Sequence, residues 1–492
     1  MLVRPNVSDR LENRVVRVFE AINKRGVWWA TCLLMLLLPL SVYWSIGPSV
    51  APWVLDIYVR PGLDLSDLAV GALFLTSAIG LGRRSEAWGH PFLVPLLALV
   101  GLAVLTLPTA LMPTLAGYTA VRWLVAVGVY IGLVRSRVPM ERLVTIFLVG
   151  LSVHALIGLG QVLKRGPLGL PGELALESFQ RNASIIRVAG TAGIPAFGLT
   201  FNPNVLGGFL SVGLLLSLPL LAHRGLRIAW WLAWLGLLLS FSRSAWLATA
   251  LLMPLAAGWL AGKRTSIRRS LKITFIGAVL ITLVVSIFWH EQMSISLYPI
   301  TAPVGSAIDR VLSSMGDSLQ SMLSPSQSQL PMSSVDHLQE ETSATEGVQS
   351  ATRGGERISS KISLAHRIEL WKVAIGIVAS RPLTGVGAGN YPVIAPSIVA
   401  DLHSDHAHNV PLQLAAEIGV IGGGIWLWIW LASALMLVQR WQVLNSWAVV
   451  SICAWLALGL ISLYDGYPWM LNAGRLLTVT VLSLVSRTTE RG

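Results

Sequence analysis

Three histidines lie close together just before a long apolar segment, at His403, His406 and His408. An imidazole has an ordinary pKa near 6.5, so a histidine fixed at a helix start suits general-base chemistry at neutral pH. Asn409 is the predicted N-cap of the helix that follows, which would fix this segment. Imidazole and carboxylate also bind borderline divalent cations, so a metal site with Asp405 is a competing interpretation. The third interpretation is a polar linker.

A single arginine interrupts the apolar stretch from residue 228 to residue 261. As one helix the stretch would be about 50 Å long, whereas the hydrocarbon core of a bilayer is about 30 Å thick. We therefore predict a turn at residues 242–244 that joins two short spans and holds Arg243 near the headgroup level. A guanidinium there suits a phosphate, because its planar fork binds oxyanions bidentately. The alternative is an interfacial anchor.

Other charged residues fall inside or beside apolar segments. Arg122 lies about two turns inside a predicted span and needs a partner from elsewhere in the chain. Glu417, about two turns into a later span, is the predicted counter-ion of Arg122. Asp465 and Arg475 fall in the predicted last outer loop, where we expect them to be solvated.

The composition tells us which kind of protein must position these residues. The 492 residues are 54% hydrophobic and only 12% charged, with a mean hydropathy of +0.67. Ordinary soluble domains are about one-quarter charged, so the chain is predicted to be a polytopic membrane protein. The net charge of +12 does not predict nucleic-acid binding, because the basic residues occupy short gaps between apolar segments. Cys32 and Cys453 lie within apolar segments, so they support neither a disulfide framework nor a cysteine-based metal site.

About twelve segments are long and apolar enough to be candidate spans. They lie near residues 27–47, 65–82, 91–109, 116–134, 143–163, 199–222, 227–241, 245–261, 273–289, 410–437, 446–463 and 475–486. Lys and Arg concentrate in alternate short loops, which predicts that both termini are cytoplasmic. The fold class expected is therefore an all-α polytopic membrane protein.

This threading divides the chain into four parts. They are a basic cytoplasmic tail (1–26), nine spans (27–290), a large extracytoplasmic loop (291–407) and three final spans with a cytoplasmic tail (408–492). The large loop carries seven basic and eleven acidic residues, as the positive-inside bias predicts for an outer loop.

The large loop has two halves of different character. Residues 311–360 are rich in Ser and Gln with little periodicity, which predicts disorder. Residues 364–380 have apolar side chains at helical spacing, and we predict a helix there. Gly385, Gly387 and Gly389 follow, and they predict a turn, since no helix with a phosphate-loop lysine comes after them.

Four motifs, taken together, resemble one family. His408-Asn409, nine residues and then Gly419-Val420-Ile421-Gly422 match the pattern His-Asn/Ser/Gln, nine residues, Gly-x-x-Gly of the bacterial O-antigen ligase and polymerase superfamily. The turn at 241–245, the loop helix and turn at 367–387 and the Asn-Pro-Asn segment at 202–204 are similar to other motifs of that superfamily.

The resemblance implies a membrane glycosyltransferase of the GT-C type in the cytoplasmic membrane. Its donor would be a glycan linked to undecaprenyl diphosphate, and its acceptor a hydroxyl on a lipid or glycan outside that membrane. Carried over, Arg243 and Arg367 would bind the donor diphosphate and His408 would deprotonate the acceptor. Beside these three, Arg122, Glu417, Asn409, Asn204 and His406 are candidate supporting residues.

Two cations can balance the charge of a diphosphate leaving group without a metal. We therefore expect a metal-independent, inverting transfer with no cofactor. A polymerase with the same donor and chemistry is the alternative within this class, although the motif spacing favours a ligase.

A transporter or flippase is the alternative from another class. Transporters place their substrate near the bilayer midplane and often show repeated halves. Here the ionisable residues gather near one edge, and a single long loop breaks any twofold pattern, which favours the enzyme.

Overall fold

The structure is a computed structural model of the whole chain. It describes residues 25–46, 58, 60–78, 91–136, 138–173, 186–188, 191–263, 265–289, 367–398 and 406–489. The predicted disordered segment, 311–360, lies outside these residues, as do His403 and Asp405.

Helices make up most of the described chain. The first nine are α1 (Arg25–Leu37), α2 (Ser66–Ala78), α3 (Leu93–Leu105), α4 (Pro113–Arg135), α5 (Met140–Lys164), α6 (Pro203–Leu216), α7 (Arg224–Leu239), α8 (Arg243–Lys263) and α9 (Thr265–Phe288). The others are α10 (367–380), α11 (Tyr391–Ile398), α12 (Val410–Ile418), α13 (Val420–Gln439), α14 (Ser446–Ser462), α15 (Tyr467–Met470) and α16 (Asn472–Thr489).

Two short antiparallel ribbons accompany the helices. Strand β1 (Tyr43–Ser45) pairs with β2 (Gly62–Asp64), and β3 (Ile186–Val188) pairs with β4 (Thr191–Gly193). Each ribbon has three residues per strand, so the protein is predominantly helical.

The structure supports a polytopic membrane protein. In the part of the chain that is described, five helices are long and apolar enough to cross a membrane: α4, α5, α8, α13 and most of α9. Several other apolar helices are shorter, among them α3, α6 and α14. The predicted number of spans, twelve, therefore stays a prediction.

The helices surround one continuous apolar core. Helix α14 is buried along nearly its whole length and packs against α6, α8 and α16. Helix α9 instead has a row of exposed apolar side chains, at Ile276, Val279, Leu283 and Ile287. Their spacing of three or four residues places them on one face, as expected for a helix facing lipid.

The predicted turn between two helices is confirmed, but it lies at residues 240–242 and not at 242–244, because α7 ends at Leu239 and α8 begins at Arg243. Phe241 in this turn has a positive φ of 51°. The glycine turn after α10 is also confirmed, with positive φ at Gly385, Gly387 and Gly389.

Two predicted spans were wrong in their bounds. The first helix ends at Leu37 and is followed by strand β1, so 27–47 is not one span. The predicted span 410–437 is two helices, α12 and α13, that break at Gly419, where φ is +85°. A side chain at residue 419 would collide with the Leu383 carbonyl, and Val420 N donates to the Pro382 carbonyl at 2.8 Å. The close approach of residues 382–383 therefore requires the helix to break at Gly419.

Candidate functional site

Two of the histidines lie side by side at the start of α12. The ring centroids of His406 and His408 are 4.0 Å apart, with the rings in an edge arrangement. The His408 backbone N donates to His406 Nδ1 at 3.1 Å. His408 has a positive φ of 52°, a conformation that costs energy for a non-glycine residue and needs support from its surroundings.

Helix α12 begins immediately after this pair, as predicted. Asn409 is its N-cap, and its Oδ1 accepts a hydrogen bond from Leu412 N at 2.9 Å. Asn409 Nδ2 donates to the Leu463 carbonyl at 3.2 Å, which ties the cap to the end of α14. Asn409 thus fixes the backbone beside His408.

A carboxylate from the loop after α14 approaches both imidazoles. Asp465 Oδ1 lies 3.7 Å from His406 Nε2 and 3.9 Å from His408 Nδ1. Asp465 is only 4% exposed, so the prediction that it is solvated was wrong. Gly466 follows it, and a side chain there would collide with the His406 ring. The close approach of this loop therefore depends on glycine.

The environment of His406 keeps it neutral. Burial lowers the pKa of His406, and the positive charge of Arg367 lowers it further, while Asp465 opposes both. His406 is buried, so a charged imidazole would be poorly solvated there.

The same three residues form the only group in the described ranges whose ligand atoms are spaced closely enough for a metal ion. The ligand atoms of His406, His408 and Asp465 all lie within 4.8 Å of one another. However, His406 Nδ1 accepts the His408 backbone hydrogen, so neutral His406 carries its proton on Nε2, facing Asp465. That proton occupies the position that a metal would need, which disfavours a site using all three.

Two arginines from different helices lie near each other, and one of them acts electrostatically on His406. Arg243 is the first residue of α8 and Arg367 the first described residue of α10, and their guanidinium groups are close enough to repel each other. The charge of Arg367 also acts on His406. Neither arginine has a carboxylate partner among the described residues, and both are half-buried. We call Arg243 and Arg367 the cation pair.

The start of α6 lies beside this site. Asn202 caps the helix, its Oδ1 accepting from Asn204 N at 2.8 Å. Tyr58 contacts both Phe201, at a centroid distance of 6.2 Å, and His406, at 5.8 Å. The Asn204 side chain is in this neighbourhood, but it makes no hydrogen bond with another residue in the described ranges.

The α6 helix also meets the turn that carries Arg243. Gly207 packs directly against Ser242, and a side chain at residue 207 would collide with it. Small residues permit such close helix approaches. The position of Arg243 relative to α6 therefore depends on Gly207.

Arg122 lies in a separate cluster, and its predicted pairing with Glu417 was wrong. Its guanidinium contacts Asp64 Oδ2 at 2.9 Å and Asp67 Oδ2 at 2.8 Å. Asp64 ends strand β2, and Asp67 lies in the first turn of α2. We call Arg122, Asp64 and Asp67 the paired-charge cluster.

Glu417 lies inside the protein, with its partners on α12 and the glycine turn. Its two carboxylate oxygens accept from Gln413 Nε2 at 3.0 Å and Gly389 N at 2.8 Å. Its side chain therefore connects elements near the histidines and does not neutralise Arg122.

Arg475 is also buried, contrary to the prediction. It is 5% exposed, and its Nε and Nη2 donate to the carbonyls of Trp469 and Met470 at 3.0 Å each. These carbonyls lie at the end of α15, where a cation is favourable. Arg475 thus anchors the loop that begins with Asp465.

Sequence reasoning missed the roles of Asp465, Asp64 and Asp67. Each had a signal, because a carboxylate between two apolar segments is costly unless it is paired. Asp465 stands alone between α14 and α16, whereas Asp64 precedes an apolar helix and Asp67 lies in its first turn. Their partners are distant in sequence, so the position of each carboxylate indicated that it has a partner but not which residue the partner is.

The fold and site define a helical, polytopic membrane protein with a histidine–aspartate group beside two arginines. Residues 228–427 match the sequence model of the family described as O-antigen ligase. This match confirms the predicted superfamily, that of the O-antigen ligases and polymerases, and it indicates a membrane glycosyltransferase-like ligase or polymerase. The matched region contains Arg243, Arg367, His406 and His408. No curated protein matches the chain in sequence.

Proposed function

We propose that the protein transfers a glycan from an undecaprenyl-diphosphate-linked donor to an acceptor hydroxyl on a lipid or cell-surface glycan. The observation that carries this proposal is the juxtaposition of the cation pair with His406, His408 and Asp465. The superfamily implies a lipid-linked glycan and an acceptor as substrates. The site would act outside the cytoplasmic membrane, at the headgroup level.

In this reaction Arg243 and Arg367 hold the donor diphosphate. The acceptor oxygen attacks C1 of the sugar from the side opposite to the diphosphate, the C1–O bond to the phosphate breaks, and the configuration inverts. The diphosphate leaves with the electron pair, and the two guanidinium groups stabilise its charge. Fixed cations of this kind supply the stabilisation that a divalent metal would otherwise supply.

The acceptor proton passes to His408. Asp465 lies on the Nδ1 side of His408, so an Nδ1–H would point toward the carboxylate and leave Nε2 as the base. Asp465 then stabilises the imidazolium that forms. His406 stays neutral and holds the backbone N–H of His408. Arg122, paired with two carboxylates, has a structural role in this proposal.

The test is release of undecaprenyl diphosphate from a lipid-linked oligosaccharide by the purified protein in the presence of EDTA. We expect release by the native chain and at least about a hundredfold loss in His408→Ala, since general-base catalysis contributes about that much or more. Arg243→Ala and Arg367→Ala should also lose most of the activity. Arg440→Ala and His223→Ala, both exposed and on other elements, are the matched controls.

Three outcomes would contradict parts of the proposal. Release that disappears with EDTA and returns with a divalent cation would replace the metal-independent mechanism with a metal site. Unchanged release in His408→Ala would remove His408 as the base. Donor binding without release, for every acceptor preparation, would favour the transporter.

Ligase and polymerase share this donor and chemistry and differ in acceptor. Supplying the lipid-linked oligosaccharide alone tests polymerisation, because the donor is then also the acceptor. Supplying a lipid glycan as well tests ligation. A longer lipid-linked glycan in the first assay would identify the polymerase.

A further inference from the structure

Two buried side chains one turn apart on α12, Gln413 and Glu417, form a chain of hydrogen bonds that the proposed mechanism does not use. Gln413 Nε2 donates to Glu417 Oε1 at 3.0 Å. Both residues are at most 1% exposed. A buried carboxylate is costly unless its oxygens are satisfied, so the partners of this pair indicate what it does.

One end of the pair reaches the histidines. Gln413 Oε1 accepts from the backbone N of Ala407 at 2.9 Å. Ala407 lies between His406 and His408, and its neighbour His408 has the left-handed backbone conformation. A strained conformation persists only where the surroundings fix it. The Gln413 amide is one of the groups that fix it.

The other end reaches the glycine turn after α10. Glu417 Oε2 accepts from Gly389 N, and the Glu417 backbone carbonyl accepts from Gly387 N at 2.8 Å. A side chain at Gly385 would collide with the backbone of residues 416 and 417. The turn and the end of α12 therefore form one closely packed unit.

This unit also holds α10, the helix that carries Arg367. Tyr391, just after the glycine turn, donates from its hydroxyl to the Leu370 carbonyl at 2.8 Å. Leu370, Tyr391, Ala407 and Ala416 belong to one small apolar cluster that is distinct from the main core. The backbone beside His408 and the helix carrying Arg367 are thus connected through Gln413 and Glu417.

We propose that Gln413 and Glu417 are a positioning pair that sets the backbone of His408 relative to Arg367. This proposal rests on the proposed function, since it assigns the pair to the geometry of the transfer site. The pair touches neither substrate nor reacting atoms in this scheme.

The direction of the hydrogen bonds gives a sharp test. In Glu417→Gln the new amide cannot accept from both Gly389 N and Gln413, so one bond is lost. In Gln413→Glu two carboxylates face each other. The double exchange Gln413→Glu/Glu417→Gln restores these bonds, because the carboxylate at position 413 would accept from Ala407 N while the amide at position 417 would donate to that carboxylate and accept from Gly389 N. It loses only the weaker donation from Gln413 Nε2 to Met470 Sδ, at 3.0 Å.

The experiment measures transfer kinetics and the reactivity of His408 with diethyl pyrocarbonate, followed by peptide mass spectrometry, in the full-length protein. We expect each single exchange to lower kcat by about tenfold to a hundredfold, since a misplacement of about 1 Å can cost the larger factor. The reactivity of His408 should rise in both. The double exchange should return both quantities to near the native values. Glu369→Gln, which changes a half-exposed carboxylate on α10, is the matched control.

Reduced thermal stability with native His408 reactivity and native kcat in the single variants would make the pair an ordinary structural contact. A double variant as impaired as the singles would also overturn the proposal. Should a single variant not fold, Glu417→Asp keeps the charge with a shorter reach, and we expect raised reactivity there as well. If the native chain transfers nothing, the proposed function fails, whereas the reactivity series still decides the positioning role.

Discussion

The paired-charge cluster and the cation pair both contain partly buried arginines, but only the arginine of the paired-charge cluster has carboxylate partners among the described residues. Arg122 has two carboxylates within 2.9 Å, whereas Arg243 and Arg367 have none among the described residues and repel each other. A charge at the edge of a bilayer is costly, so it persists where a partner neutralises it or where a ligand will. The comparison supports a structural role for the first group and agrees with the anion binding proposed above for the second.

The surroundings of the two groups agree with this assignment. The paired-charge cluster joins β2 and α2 to α4, and Tyr118 on α4 also exchanges hydrogen bonds with Gly62 of β2. The cation pair instead brings together like charges from two helices, α8 and α10, and Arg367 acts electrostatically on His406. Arg122 and the cation pair all lie in or beside apolar segments of the sequence. The presence or absence of a carboxylate partner therefore distinguishes them, whereas their sequence positions do not.

The largest expected effect on stability is that of Arg122→Ala. Removing the guanidinium leaves Asp64 and Asp67 largely buried without a cation, which typically costs about 3–5 kcal/mol. Thermal unfolding in detergent measures the loss. Arg122→Met combined with Asp64→Asn and Asp67→Asn should recover most of it, because neutral groups replace all three charges. A loss of transfer at unchanged stability would break the comparison.

Arg243→Ala should have the converse effect. It removes a repulsion and no ion pair, so we expect stability to be unchanged or slightly raised, while transfer falls by about a hundredfold, as for loss of one group that stabilises developing negative charge. Arg243→Lys should recover part of the activity, since lysine keeps the charge but not the planar fork. A marked fall in melting temperature in Arg243→Ala would place Arg243 with Arg122 as a structural cation.

A smaller effect is expected from Asp64→Asn, and it should depend on pH. Burial raises the pKa of the Asp64 carboxyl from 3.8 to about 6, although Arg122 opposes the rise. A carboxyl whose pKa is higher in the folded state favours folding at low pH, and this contribution is lost as the pH rises from about 4 through 6. Asp64→Asn lacks this pH-dependent contribution to stability. The melting temperature of the variant should therefore fall further below that of the native chain near pH 4 than near pH 7.

The control for this pH series is Glu369→Gln, which changes a half-exposed carboxylate. Its difference from the native chain should be small at every pH. A deficit of Asp64→Asn that stays constant from pH 4 to pH 8 would mean that Asp64 titrates in the folded protein as it does in the unfolded one.

The smallest effect is expected from Lys372→Ala. Lys372 Nζ lies 2.8 Å from Glu369 Oε1, but the two side chains are 65% and 44% exposed. A helix pair at this spacing contributes at most about 0.5 kcal/mol. The melting temperature and transfer rate should stay close to the native values. A large change in either would show that pairing alone does not identify the important charges.

Local sequence patterns predicted much of the scaffold. The break before Arg243 was predicted because one helix over that stretch would be too long for a bilayer. The cap at Asn409 was predicted from its side-chain acceptor, and the turn after residue 380 from its glycines, which readily adopt positive φ. Each of these signals lies within a short stretch of sequence. The break at Gly419 was missed, because the loop that requires it lies more than thirty residues earlier in the chain.

The sequence by itself determined that this is a helical membrane protein, and it identified Arg243, Arg367 and His408 as the residues to examine. Apolar segments and motif spacing are properties of the linear sequence, so they can be recognised without knowledge of the fold. Only the tertiary structure decided that Arg122 pairs with Asp64 and Asp67, that Asp465 faces both histidines, and that Glu417 accepts hydrogen bonds from Gln413 and Gly389. Burial makes an unpaired charge costly, so a buried charged residue needs a partner. Which residue becomes that partner depends on which helices pack together, and this is a property of the tertiary structure.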